Sequence, residues 1–143
     1  MVIKTSFFGI ILAFYSGNGG KMQILIVDDD PYIIKALCKR LDRWGHDAHS
    51  AENGPDALKL LKNHPIDLIL LDIFLKETTA IELIPKIKRI KPFINIITMT
   101  GQNDRQLELK IRSFGVLYFM EKPIETKNFK LILDHINNRI DTK

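Results

Sequence analysis

Four stretches of the chain carry apolar runs of strand length: Met22 to Val27, "DLILLD" (67–72), "INIITMT" (94–100) and "VLYFM" (116–120). Runs this dense, without polar alternation, fit strands buried on both faces. A shorter segment, "DAHSA" (47–51), fits an edge strand. Between the strands the apolar positions change to helical spacing. Ile34, Leu37, Cys38 and Leu41 follow Pro31; Leu58, Leu61 and Lys62 follow "NGPDA"; Ile81, Ile84 and Ile87 follow "TTA". Leu107, Ile111 and Phe114 mark a fourth helix, and Phe129, Ile132, Leu133 and Ile136 a fifth. Cys38 is thereby expected in the core. Five strands alternating with five helices imply a parallel sheet with helices on both faces, a three-layer α/β sandwich. Ligands of such sheets bind beyond the carboxyl ends of the strands.

The first 21 residues stand outside this alternation. "FFGIILAFY" (7–15), with Lys4 before it and "SGNGG" after it, has the outline of a short signal peptide. It falls far short of the roughly 20 apolar residues that span a bilayer. Three readings stay open for this N-terminal extension: translation starts at Met22, the segment is an ordered appendage, or it targets the chain. The remaining residues, 22–143, make one domain. One cysteine allows no intramolecular disulfide and points to a reducing compartment, and the four histidines, at 46, 49, 64 and 135, have no zinc-site spacing. They are expected in solvated or helix-flanking positions.

Charged and polar residues stand where the strands end. Asp28 and Asp29 close the first strand, Asp72 the third and Thr100 the fourth, and Lys122 follows the fifth. The spacings between them match whole strand-helix units, so all arrive at one edge of the sheet. Packed carboxylates repel and lose hydration, so a cation is required among them. Hard oxygen ligands in a compact pocket select Mg²⁺, or Mn²⁺, over zinc. A metal with a lysine and a hydroxyl nearby can neutralise a transferring phosphoryl group, and Asp72 is then the natural nucleophile. Setting Asp28, Asp29, Asp30 and Asp72 aside leaves 21 basic residues against 13 of the 17 acidic ones. The run Lys86, Lys88, Arg89, Lys91 has no interleaved aromatics, so it fits a solvated helix face and not a nucleic-acid surface.

"ILIVDDDP", "DLILLDIFL", "IITMTG" and "MEKP", in this order and at these spacings, resemble the motifs of the receiver domain of response regulators. The resemblance spans residues 22 to about 140. It implies the flavodoxin-like strand order 2-1-3-4-5, for which receivers are a standing example. By position it implies that Asp72 is the phosphoacceptor and that Asp29 binds Mg²⁺ directly and Asp28 through water. The main-chain carbonyl of Phe74 would be a further ligand, and Thr100 and Lys122 would engage the phosphoryl group. Asp30, beside Pro31, fits a helix N-cap instead. Three departures stand out. The loop after Asp72 has Lys76 and Ala80 where the family has proline and glycine. At the switch position Phe119 lacks a hydroxyl, and the usual "GAD" is "GVL" (115–117).

The function expected from this resemblance is a stand-alone receiver in the cytoplasm, monomeric or weakly dimeric, that catalyses its own aspartyl phosphorylation and dephosphorylation. Its donor would be a sensor histidine kinase or a histidine phosphotransfer protein, and its output a changed surface for a downstream protein. The chain ends about twenty residues after Lys122, which leaves no room for an output domain unless it is a fragment. Two rivals are a phosphorylation-independent adaptor and a phosphatase resembling the haloacid dehalogenases. The second shares the Asp, hydroxyl, Lys and Mg²⁺ set, but its DxD motif continues differently from Pro31 and Tyr32.

Overall fold

The computed structural model describes residues 20–102 and 104–141. In chain order the elements are β1 (Gln23–Val27), α1 (Pro31–Arg43), β2 (Asp47–Ala51), α2 (Gly54–Asn63), β3 (Leu68–Asp72), α3 (Ala80–Ile90), β4 (Asn95–Thr100), α4 (Arg105–Arg112), β5 (Tyr118–Glu121) and α5 (Thr126–Asp141). The strands form one parallel sheet in the order β2-β1-β3-β4-β5. The flavodoxin-like, three-layer sandwich implied by the motifs is therefore the fold observed.

Alternation along each strand divides the core in two. Leu25, Val27, Ile69, Leu71, Ile96 and Phe119 face one layer, which α2, α3 and α4 cover. Ile24, Ile26, Leu68, Leu70, Ile97 and Met120 face the other, where they pack with Leu37 and Leu41 of α1 and Phe129 and Leu133 of α5. Both faces are apolar, which explains why the strands read as unbroken runs. Cys38 packs partly buried against the α1–α5 layer, and burial pushes its thiol pKa up, so it behaves as a core residue.

Local chemistry sets the helix starts. Asp30 caps α1 by accepting from the Tyr32 N–H at 2.9 Å, with Pro31 in the first turn. Asn53 and Asp104 cap α2 and α4 in the same way, through the N–H groups of Asp56 and Leu107. At the other end of α4 the structure departs from the sequence pattern. The helix stops at Arg112, and Phe114, expected on its face, lies in the following turn. There the Phe114 and Gly115 N–H groups donate to Ile111 and Arg112 carbonyls, and Gly115 takes φ +86°. The turn also delays β5. Val116 is buried outside the ladder and Leu117 is 54% exposed, and pairing with β4 begins only at Tyr118 opposite Ile97. Pro85, inside α3, cannot donate to the preceding turn, a feature the helical spacing did not reveal.

Most of the N-terminal extension, residues 1–19, lies outside the described residues. Gly20 and Lys21, at its end, are tied to the domain: the Gly20 carbonyl accepts from Asn137 Nδ2 at 2.6 Å, and Lys21 pairs with Asp47 at 2.9 Å. His46 flanks α1, one of the two positions expected of the histidines, but it is not solvated: it is 6% exposed and its Nδ1 accepts the Met22 N–H at 3.2 Å. Burial, aided by Lys130, holds its pKa below the ordinary value.

This geometry sets a pH dependence of stability. His46 accepts a proton more readily in the unfolded chain, at about pH 6.5, than in the fold. Its contribution is therefore complete above that value and is lost as the pH falls toward the lower folded pKa. His46→Phe strands the buried Met22 N–H and should cost about 1–3 kcal/mol at neutral pH. Urea titrations of the parent and the variant across pH 5 to 8 check both points: the variant should show the shallower acid decline.

Candidate functional site

Sheet register brings the acids together. Val27 of β1 pairs with Leu71 of β3, so Asp28 and Asp72 emerge side by side where the ladder ends. On the other flank Thr100 pairs with Glu121, and the Lys122 N–H donates to the Thr100 carbonyl at 2.8 Å. From there the long Lys122 side chain returns over the strand ends. Its Nζ donates to Asp28 Oδ2 at 2.7 Å and to Asp72 Oδ2 at 3.1 Å. Asp28 is fully buried, Asp72 is 6% exposed and the lysine side chain 18%.

The electrostatics follow from that burial. Loss of hydration raises the Asp72 pKa above the ordinary carboxylate value, and the neighbouring Asp28 charge adds to the rise, while the Lys122 hydrogen bond opposes it. Burial alone would lower the Lys122 pKa, but its bonds to both aspartates outweigh that and hold it above its ordinary value. The two shifts agree: the lysine gains from two anions, whereas Asp72 shares one cation with a second anion. Other bonds orient the acids. The Asp30 N–H donates to Asp28 Oδ1 at 2.9 Å, and the Phe74 N–H to Asp72 Oδ1 at a longer 3.4 Å.

Asp28, Asp29 and Asp72 each place a carboxylate oxygen within 4.8 Å of the others. Three hard oxygen donors so close suit Mg²⁺ or Mn²⁺. The loop past Asp72 keeps a defined shape despite Lys76 and Ala80. Leu75 N–H donates to the Thr78 carbonyl at 3.0 Å, Phe74 bridges Thr79, and the Ala80 N–H reaches the Ile73 carbonyl at 2.8 Å.

Thr100 lies on the adjoining strand end, but its hydroxyl is turned to the next loop. It donates to the Gln102 carbonyl and accepts the Gln102 N–H, both at 3.0 Å. Phe119 is 7% exposed and belongs to the α2–α4 layer. Its ring lies 4.7 Å from the Arg112 guanidinium, whose Nε and a terminal nitrogen both donate to Glu108 Oε1 at 3.1 and 2.7 Å. Arg112 was missed in the sequence, although Glu and Arg four residues apart on α4 are a readable helix pair. At the start of β5, Leu117 is exposed, whereas Tyr118 is buried against His135.

The family model of the response regulator receiver domain matches residues 24–134, and the chain belongs to that family. It is 30% identical over 115 residues to the DNA-binding transcriptional regulator NtrC of Azospirillum brasilense, which covers 80% of this chain and 24% of that protein. It is 31% identical over 120 residues to a cyclic di-GMP phosphodiesterase of Thermotoga maritima, covering 83% of this chain and 32% of the relative. The chain thus spans about a quarter to a third of the length of these relatives. Among solved structures, a two-component response regulator from Clostridium difficile superposes with a TM-score of 0.80 at 26% identity, covering 84% of this chain and 98% of that one. A CheY-like receiver domain from Methanospirillum hungatei superposes at 0.79 and 23% identity, covering 87% and 100%. No described helix is long and apolar enough to cross a membrane.

Lys122 is the only cation bonded to the two buried aspartates among the described residues. Lys122→Met should therefore destabilise the metal-free protein by about 3 kcal/mol. Adding Asp72→Asn should recover part of that loss, because one of the two stranded charges disappears. A double-mutant cycle by urea unfolding measures the coupling; strictly additive effects would show that the pair acts independently.

Proposed function

We propose that this receiver takes a phosphoryl group onto Asp72 from a phosphohistidine of a sensor histidine kinase or histidine phosphotransfer protein, in the cytoplasm. An Asp72 carboxylate oxygen attacks phosphorus, the P–N bond breaks as the P–O bond forms, and the imidazole leaves with the bonding pair. The observation that supports this most is the single lysine joining Asp28 to Asp72 across the strand ends. Asp28, Asp29, Asp72 and the Phe74 carbonyl would hold Mg²⁺, which when bound supplies charge neutralisation for the phosphoryl oxygens. Lys122 pairs with the new phosphoryl group, and Thr100 exchanges its Gln102 bond for one to a phosphoryl oxygen.

Output is assigned to the face made by α4, β5 and α5. Its exposed apolar residues, Leu109 at 57% and Leu117 at 54%, support a protein partner there. In this reading the receiver acts by itself through that face, as a monomer or weak dimer, with residues 22–143 as the working domain. A receiver joined to an output module is the alternative arrangement, and immunoblotting the native product for size separates the two.

Incubation with a small-molecule phosphodonor and Mg²⁺ should add the mass of one phosphoryl group to the parent and none to Asp72→Asn. Addition to the variant, or full transfer in excess chelator, would overturn the assignment. Phe119→Ala should change affinity for the downstream partner while leaving phosphorylation largely intact, because the ring lies in the apolar layer and not among the carboxylates. Partner binding that ignores both Asp72→Asn and Phe119→Ala would instead favour a phosphorylation-independent adaptor.

A further inference from the structure

His49, on the edge strand β2, and His64, just past α2, place their rings 4.7 Å apart with planes inclined at 40°. Neither belongs to the carboxylate cluster. A chain of hydrogen bonds orients the first ring. Lys21 pairs with Asp47 Oδ1 at 2.9 Å, and Asp47 Oδ2 accepts from Gln23 Nε2 at 2.5 Å. That leaves Gln23 Oε1 as the acceptor facing His49 Nε2 at 2.8 Å. The Gln23 acceptor favours the Nε2–H tautomer of His49, which leaves Nδ1 as the nitrogen able to bind a ligand.

We propose that His49 and His64 bind one divalent transition-metal ion of the imidazole-preferring class, such as Zn²⁺, Ni²⁺ or Cu²⁺. Imidazole nitrogen suits these ions, whereas the all-oxygen cluster of Asp28, Asp29 and Asp72 suits Mg²⁺ and Mn²⁺. Metal-ligating histidines usually donate their second ring nitrogen to an oxygen acceptor that fixes tautomer and orientation, and Gln23 occupies that place with Asp47 behind it. The two protein nitrogens leave the other coordination positions to water. Binding ties the edge strand to the C-terminal end of α2, and because imidazoles ligate only when unprotonated it weakens in acid.

Zn²⁺ titration of the full chain at neutral pH, with excess Mg²⁺ to occupy the carboxylates, tests this by two readouts: calorimetric affinity and the ring signals of the histidines in NMR spectra. In the parent, the His49 and His64 signals should shift together with one equivalent of Zn²⁺. His64→Gln, at an exposed position, should abolish that binding, and His49→Gln should do the same. Gln23→Leu should weaken it about tenfold, an effect that simple ring stacking would not produce. No uptake by the parent would overturn the proposal. So would uptake unchanged in both histidine variants, or uptake lost only in Asp29→Asn, which would place the ion among the carboxylates.

Discussion

The interaction on which the rest of this architecture turns is the ion pair set between Lys122 and two aspartates that water barely reaches. Carboxylates without hydration are tolerated only when a cation and oriented donors replace the lost water. Lys122 comes from the far edge strand, so the arrangement exists only when β1, β3, β4 and β5 all end in register. That register is set by the core. A slip of one residue would exchange the two apolar faces of β1, sending Leu25 and Val27 toward α1 and α5. Packing of aliphatic side chains thus fixes the position of charges they never touch.

Burial on both faces makes the central strands legible as bare apolar runs, and the spacing of Asp28, Asp72, Thr100 and Lys122 in the sequence alone puts those residues at one sheet edge. What escaped was set by contacts distant in sequence or by single turns. The start of β5 depends on Gly115 closing α4, and the apolar "VLYFM" run contains no mark of that turn. His46 reads as one more polar residue after a helix, and only its place beneath the Met22 N–H makes it a buried acceptor. The Thr100 hydroxyl could be located but not oriented, because its present partner is a main-chain carbonyl two residues on.

The adjacent acids Asp28 and Asp29 are not equivalent, and the reason is local. Both oxygens of Asp28 are committed, one to the Asp30 N–H and the other to Lys122. Asp72 is engaged in the same fashion, though more loosely at Phe74. Asp29, half-buried in the same cluster, has no hydrogen-bond donor among the described residues. In the proposed Mg²⁺ site, the uncommitted oxygens of Asp29 therefore support its assignment as the direct ligand, with Asp28 in the more remote part.

Phe119 has a different constraint from a switch residue with a hydroxyl. A tyrosine could be held at the surface by its own hydrogen bond, whereas this ring's position is decided by burial and by the cation above it. Arg112 supplies that cation, and Glu108 orients it through two nitrogens on the same helix face. Any outward movement of the ring must therefore displace a guanidinium already committed to Glu108, and any shift of α4 carries the cover with it. Thr100 is bonded to Gln102, and Asp104 caps the start of α4, so in the proposed output a change of partner at the Thr100 hydroxyl would act on the helix that covers Phe119. In the proposed output, helix position and ring position are coupled through Arg112, and the missing hydroxyl transfers control of the ring from its own polar tip to α4.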